Sequence, residues 1–358
     1  MKLVSALAIA AAMTLAPQTP AAAQDGIPGP EDDSYIWLEE ARSDEALDWV
    51  RSENERTMEL IAGDPRFDAV KAEALAIYDS EDRIPYVTIR PDGLYNFWQD
   101  KQNPRGLVRR TTLDSYRTDD PQWETVLDVD ALAEAEGREW VYKGSTCLPP
   151  QERMCMIALS DGGEDATVLR EFDMATKSFV ENGFLLDQKS QGGIEWVDAD
   201  TLLVSRDFGE GTLTESQYPR TSRIWKRGTA IEDAQEIWRG EEADVWSSAT
   251  LLRDHTGTAH GYYAFRATSF HETEYFWQHG GEWLRLDMPL KAAPYGLIDG
   301  QLLFSTDVDW ETQGQTFPAD ALVSVDLEAF KADPNGATKT LVWAPEDKQT
   351  KQGAANTA

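Results

Sequence analysis

From Ile84 onward helical spacing gives way to short runs of aromatic and β-branched residues, broken by Asp-Gly, Gly-Gly and proline turns. This pattern constrains the fold more than any other feature, because the runs fall into groups of four. Ile84 to Arg90, Leu94 to Asp100, Leu107 to Thr112 and Trp123 to Asp128 make the first. Trp140 to Cys147, Met154 to Ser160, Thr167 to Asp173 and Ser178 to Val180 make the second, and Gly193 to Val197, Thr201 to Arg206, Arg223 to Lys226 and Glu236 to Trp238 the third. Ser247 to Leu252, Gly261 to Thr268, Glu274 to His279 and Glu282 to Leu286 follow, and Ala293 to Ile298, Gln301 to Thr306, Ala321 to Asp326 and Thr340 to Trp343 close the series. The interval is about 52 residues per group, the length of one four-stranded blade with its loops. The expected fold is therefore all-β, a β-propeller rather than a two-sheet sandwich.

Ahead of the strands, the stretch Tyr35 to Thr57 reads as an aromatic anchor followed by an amphipathic helix. Ser43 is a natural N-cap, with Asp44 and Glu45 in the first turn where the helix dipole favours carboxylates. Leu47, Val50, Asn54, Met58 and Ile61 then share one helical face, apolar except for Asn54. Asp64 and Pro65 restart the pattern as N-cap and N1, and Phe67, Val70, Ala74 and Ile77 make a second stripe.

The wording of this opening carries a resemblance. Tyr35, Trp37-Leu38-Glu39-Glu40, the Ser43 cap, Trp49-Val50 and Glu53-Asn54 together resemble the start of the prolyl oligopeptidase family of serine peptidases. The likeness continues through Asp161-Gly162-Gly163, Val168 to Asp173 and Trp225-Lys226-Arg227-Gly228-Thr229. It implies opening helices packed on a C-terminal α/β-hydrolase domain, with a seven-bladed propeller between the two in sequence. About five blades are accounted for here, so an unfinished arc is the expected form. The alternative is a ring closed at five, which is disfavoured because blade tilt and side-chain taper follow blade number.

Lys2, the uncharged apolar run Leu3 to Leu15, and Ala21-Ala22-Ala23 before Gln24 have the form of a secretory signal peptide over residues 1–23. The run is too short for a membrane span and is followed by Pro17 and Pro20. The organisation expected from sequence is then a disordered linker at 24–34, a helical segment at 35–80, a partial propeller at 81–345 and a disordered tail at 346–358. Export to the periplasm or beyond follows. A formal net charge of −31 argues against nucleic acid or an anionic membrane surface as partner, and would attract a cationic peptide.

Cys147 and Cys155 are the two cysteines, separated by a short proline-containing loop. In an oxidising compartment two strands joined by such a loop bring them within bridging range, so a disulfide is expected; two buried free thiols are the alternative. No histidine lies near enough in sequence to suggest a metal site or catalytic thiol.

A serine hydrolase of the α/β type needs Gly-x-Ser-x-Gly, and neither Ser145 nor Ser160 sits in that frame. The four histidines, His255, His260, His271 and His279, cluster in the fourth group and read as loop or surface residues. His271-Glu272 begins like a zinc helix, but Tyr275 occupies the second ligand position. Gly209-Glu210-Gly211 lacks the remainder of a phosphate loop and reads as a turn. Among the carboxylates, Asp198, Asp200, Asp207, Asp307 and Asp309 could supply an acid/base pair for glycoside cleavage. Trp98, Trp246, Trp277 and Trp310 are expected to pack between blades.

These readings lead to one expectation: the propeller part of an exported prolyl oligopeptidase-like serine peptidase acting on short peptides, with its Ser-Asp-His triad in a hydrolase domain outside these residues. No catalytic residue, metal ligand or cofactor is assigned within them, and the chain alone is expected to be inactive. A non-catalytic binding propeller and a propeller glycosidase are the alternatives.

Overall fold

The computed structural model describes residues 33–80 and 82–345. The proposed signal peptide, nearly all of the proposed linker and the tail from 346 lie outside the described residues. The chain divides into two compact units, Met1–Tyr78 and Asp79–Ala358.

The first unit holds α1 (Asp44–Ala62) and α2 (Phe67–Tyr78). Ser43 caps α1 as its sequence position suggests, its Oγ accepting from Ala46 N at 3.2 Å. The aromatic anchor forms on the same helix, where Trp49 meets Trp37 edge-on at 6.1 Å and Tyr35 at 6.4 Å. α2 begins two residues later than Asp64-Pro65 suggests. The Asp64 carboxylate instead accepts from Arg66 N at 2.9 Å and pairs with its guanidinium, which makes a turn before the helix. Most of the apolar stripe of each helix is exposed, Ile61 by 50% and Ile77 by 67%.

The second unit contains five antiparallel sheets in chain order. Sheet one is β1 (Thr88–Arg90), β2 (Gly93–Trp98), β3 (Leu107–Thr111) and β4 (Glu124–Asp128). Sheet two is β5 (Trp140–Cys147), β6 (Met154–Asp161), β7 (Thr167–Asp173) and β8 (Ser178–Phe179), with β9 (Leu185–Ser190) also paired to β7. Sheet three is β10 (Gly193–Asp198), β11 (Thr201–Ser205), β12 (Thr221–Lys226) and β13 (Gln235–Arg239). Sheet four is β14 (Trp246–Arg253), β15 (Ala259–Ser269), β16 (Glu272–His279) and β17 (Glu282–Arg285). Sheet five is β18 (Ala292–Ile298), β19 (Gln301–Thr306), β22 (Ala321–Asp326) and β23 (Lys339–Trp343), with the hairpin β20 (Trp310–Thr312) and β21 (Gln315–Phe317) inserted after β19.

The strand groups read from sequence thus appear as sheets of the expected propeller type, with three differences. The first strand is shorter: residues 84–87 are outside the ladder, and Asn96 Nδ2 donates to Tyr86 O at 2.8 Å in place of a strand partner. β9 and the β20–β21 hairpin were not anticipated. Short helices also interrupt the strand pattern: α3 (Leu113–Tyr116), α4 (Val129–Glu136) and α5 (Leu327–Ala332). Each has an N-cap whose side chain accepts a backbone N–H: Thr112, Asp128 and Asp326.

Sheets two, three and four each contribute to two buried clusters, and burial joins the five sheets in series. One cluster unites Tyr95 and Val108 of sheet one with Cys155, Ile157 and Phe172 of sheet two. Met156 and Leu169 on sheet two meet Trp196, Leu202 and Trp225 on sheet three. Leu203 and Trp238 meet Ala249 and Ala264 of sheet four. Leu252 and Trp277 then meet Leu297, Leu302 and Phe304 of sheet five. A fully buried side chain of this kind stabilises by roughly 1.5–3 kcal/mol, so these seams hold the array together.

Trp277 packs between sheets as expected. Trp246 does not: it is 50% exposed and leans on Phe265 of its own sheet. Trp98 stacks under the guanidinium groups of Arg83 and Arg109 at 4.6 and 4.2 Å, and Trp310 is buried against Phe317 of its own hairpin.

Candidate functional site

The first strands of consecutive sheets adjoin one another, which makes them the edge about which the sheets are arranged. Arg90 of β1 donates from Nη2 to Ser145 Oγ of β5 at 2.9 Å. Trp196 Nε1 of β10 donates to Thr146 O of β5 at 2.9 Å. Glu195 of β10 accepts from Thr250 Oγ1 and Leu251 N of β14, each at 2.6 Å. Arg253 of β14 returns bonds to Trp196 O and Val197 O, and Asp254 bridges Leu297 of β18 in parallel pairing. A polar side chain from one first strand therefore satisfies the backbone or hydroxyl of the next, where the ladder itself stops.

Cys147 and Cys155 occupy this edge. They are register partners of β5 and β6 and their sulfurs are bonded. Arg90 lies over the pair, its Nη1 donating to Cys147 Sγ at 2.8 Å, while its plane stacks on Tyr95 at 4.7 Å.

Glu195 is the carboxylate that this edge perturbs. Burial pushes its pKa up, against the opposing pull of the Thr250 and Leu251 bonds and the charge of Arg253. Beside it, burial and then the negative charge of Glu195 push the Tyr263 phenol up to about 12. Neither Glu195 nor Tyr263 was singled out by the sequence, since one glutamate among 64 acidic residues carries no local mark.

The sequence-derived candidates are dispersed. Asp198 Oδ1 accepts from Asp200 N, and Asp200 pairs with Arg227. Asp207 caps the turn at Gly209 and Asp309 accepts from Ala319 N, so these carboxylates close loops and do not face one another as an acid/base pair. Gly209 and Gly211 both have positive φ, in the loop between β11 and β12. His260 lies on β15 and not in a loop, its Nε2 2.9 Å from Asp254 Oδ2. The bonds from Thr256 and His260 hold the Asp254 carboxyl well below the usual range. Ser145 on β5 accepts from Arg90 and Ser160 is buried on β6, and neither is bonded to a histidine among the described residues. Among the described residues no group of His, Cys, Asp and Glu is placed to hold a metal, and no helix is long and apolar enough to cross a membrane.

What the edge can do chemically is accept and donate hydrogen bonds, through Arg90, Glu195 and Arg253. It carries no nucleophile–base–acid constellation of the kind that acyl transfer requires.

A family model described as the prolyl oligopeptidase N-terminal β-propeller domain matches residues 17–348. An uncharacterised peptidase of Sinorhizobium fredii is 39% identical over 331 residues, covering 91% of this chain and 46% of its own length. One from Rickettsia prowazekii is 29% identical, with coverages of 87% and 45%. The solved structure of a post-proline cleaving enzyme from Rickettsia typhi superposes with a TM-score of 0.80 at 26% identity, covering 88% of this chain and 47% of that one. The chain spans about half the length of the curated relatives it matches.

Proposed function

Because this chain belongs to the prolyl oligopeptidase family, matching its N-terminal propeller domain, we propose that it serves as the substrate-gating part of an exported serine peptidase that cleaves short peptides. The observation that carries the reading is the combination of that match with a coverage of 46% of the Sinorhizobium relative. The nucleophilic serine and its Asp and His partners are assigned to an α/β-hydrolase domain that corresponds to the remaining half of the relatives.

The proposed role of the propeller is to exclude folded proteins and admit short peptides. Its net charge of −31 favours cationic or neutral ones by attraction. The exposed stripes of α1 and α2, including Met58, Ile61, Val70 and Ile77, are a surface of the kind a hydrolase domain would cover. Export is supported by the signal-like residues 1–23 and by the bonded Cys147–Cys155 pair, since disulfides persist in oxidising compartments.

The test is a proline-containing reporter peptide. The 358-residue chain alone is expected to leave it intact, and a longer chain that adds a hydrolase half is expected to cleave it on the carboxyl side of proline. Turnover by the 358 residues alone, abolished by a serine-directed inhibitor, would overturn the assignment of catalysis to the other half. Mass spectrometry of the exported protein checks the leader: a mature N-terminus at Gln24 is expected.

A further inference from the structure

The seam between sheets four and five is not filled. It holds a cavity of about 110 Å³ walled by Leu252, Tyr263, Trp277, Met288, Leu302 and Phe304, with Tyr295 at its mouth. Tyr295 is 71% exposed, so the space communicates with solvent there, whereas Trp277, Leu302 and Phe304 are each 4% exposed. Carbon makes up most of the wall, with the Tyr263 and Tyr275 rings among its lining. Water is a poor occupant, because an enclosed water needs 2–4 polar partners, while engineered apolar cavities of roughly 150 Å³ stay dry and take benzene. A hydrocarbon group entering here would regain dispersion contacts that the lining side chains lack.

Charge selects among such groups. The Glu195 carboxylate is anchored by Thr250 and Leu251, and Thr250 is the register partner of Tyr263 in the cavity wall. The burial-raised phenol of Tyr263 feels the charge of Glu195. With the whole chain at −31, an anion is repelled at long range.

We propose that this seam is a binding site for one small aromatic or branched aliphatic group carried by a neutral or cationic molecule. The site requires only sheets four and five, and so goes beyond the peptidase reading without depending on it. The same chemistry is offered by a free small molecule or by an apolar side chain of a peptide.

Titration calorimetry of the 358-residue chain with toluene, benzylamine, phenylacetate and N-acetylphenylalaninamide tests it. Toluene and benzylamine are expected to saturate a single site, with phenylacetate at least tenfold weaker. Leu302→Phe, which fills the cavity, is expected to abolish the binding heat. Binding of the phenylalanine amide would extend the site to peptide side chains, and its failure beside bound toluene would assign the site to free molecules; both retain the proposal. If Leu302→Phe does not fold, Met288→Phe blocks the cavity from another wall, and nuclear Overhauser contacts from toluene to the Trp277 ring locate the ligand in the wild-type chain. No saturable binding of toluene or benzylamine by the folded wild type, or unchanged binding in a folded cavity-filled variant, would overturn the proposal.

Discussion

The seam between sheets two and three and the seam between sheets four and five are built by opposite means. The first is closed by charge. Glu171 of β7, 3% exposed, takes both guanidinium nitrogens of Arg227 at 2.7 and 2.9 Å and also accepts from Phe184 N at 2.6 Å. Arg227 stacks on Phe184, which itself meets Trp196 and Trp225 edge-on. Arg206, 2% exposed, enters the same seam from sheet three and donates to Thr167 O and to Gln188 O on sheet two. The second seam contains carbon and a void. A seam locked by directional bonds has one geometry, because shifting either sheet leaves a buried charge unpaired. A seam of apolar contacts around empty space tolerates repacking, and is the one able to admit a guest.

The comparison breaks most decisively at Glu171. Glu171→Ala leaves the Arg227 guanidinium and Phe184 N without their acceptor, and a loss of roughly 3 kcal/mol is expected, somewhat under the fully buried case because Arg227 keeps some contact with solvent. Equilibrium denaturation in urea measures it as a lowered midpoint. A midpoint unchanged from wild type would mean that the pair is ornamental and that packing alone closes the seam. Next is Arg206→Met, which removes a cation that burial already pushes down to about 10 but leaves the Thr167 and Gln188 carbonyls unmet. The expected cost is about 2 kcal/mol, read by the same titration.

The opposite sign is expected in the other seam. Met288→Phe adds volume where 110 Å³ is empty, and the dispersion contacts it gains are expected to raise stability by up to about 1 kcal/mol. In the seam between sheets two and three, where Leu202 is wholly buried, an enlargement of the same kind, Leu202→Phe, forces side chains off their rotamers and is expected to destabilise by about 1–3 kcal/mol. Equal effects of the two substitutions would erase the distinction drawn between the seams.

The sequence carries half of this contrast. Alternation and turn residues locate nearly every strand from Gly93 to Trp343, because a strand's two-residue period and its terminating turn are local signals. Trp277 was legible as an inter-sheet residue, but Trp246 was not distinguishable from it by composition; only the face on which each lies separates them. β9 was missed because Leu185–Ser190 pairs with β7 and not with its sequence neighbour β8. α4 could have been found, since Asp128 before an alanine-rich run and Gly137 after it, at φ 61°, mark a helix start and stop. Glu171, Arg206 and Glu195 could not, because their partners lie 56, 39 and 55 residues away in the chain. The cavity is likewise a property of facing sheets and has no signature in any one strand.

The smallest expected effect concerns pH, and it sets a carboxylate of sheet two against one that bonds sheet three to sheet four. On sheet two, the bonds from Arg153 depress the Asp173 carboxyl to about 2. Its contribution is therefore present above the unfolded value of about 3.9 and is lost as pH falls toward 2. Glu195, in contact with sheet four, is shifted the other way by burial. Its protonated form is the one that folding favours, so its contribution is complete below the unfolded value of about 4.3 and declines as pH rises through the folded one. Gln at 195 keeps an oxygen for Thr250 and Leu251 but carries no charge. Thermal midpoints of Glu195→Gln minus wild type are thus expected to grow more positive from pH 4 to pH 7, by about 1–2 °C, while Asp173→Asn minus wild type grows more negative over the acid range from pH 2 to pH 5. Parallel pH profiles for the two variants would show that the Thr250 and Leu251 bonds and the charge of Arg253, and not desolvation, set the sign at Glu195.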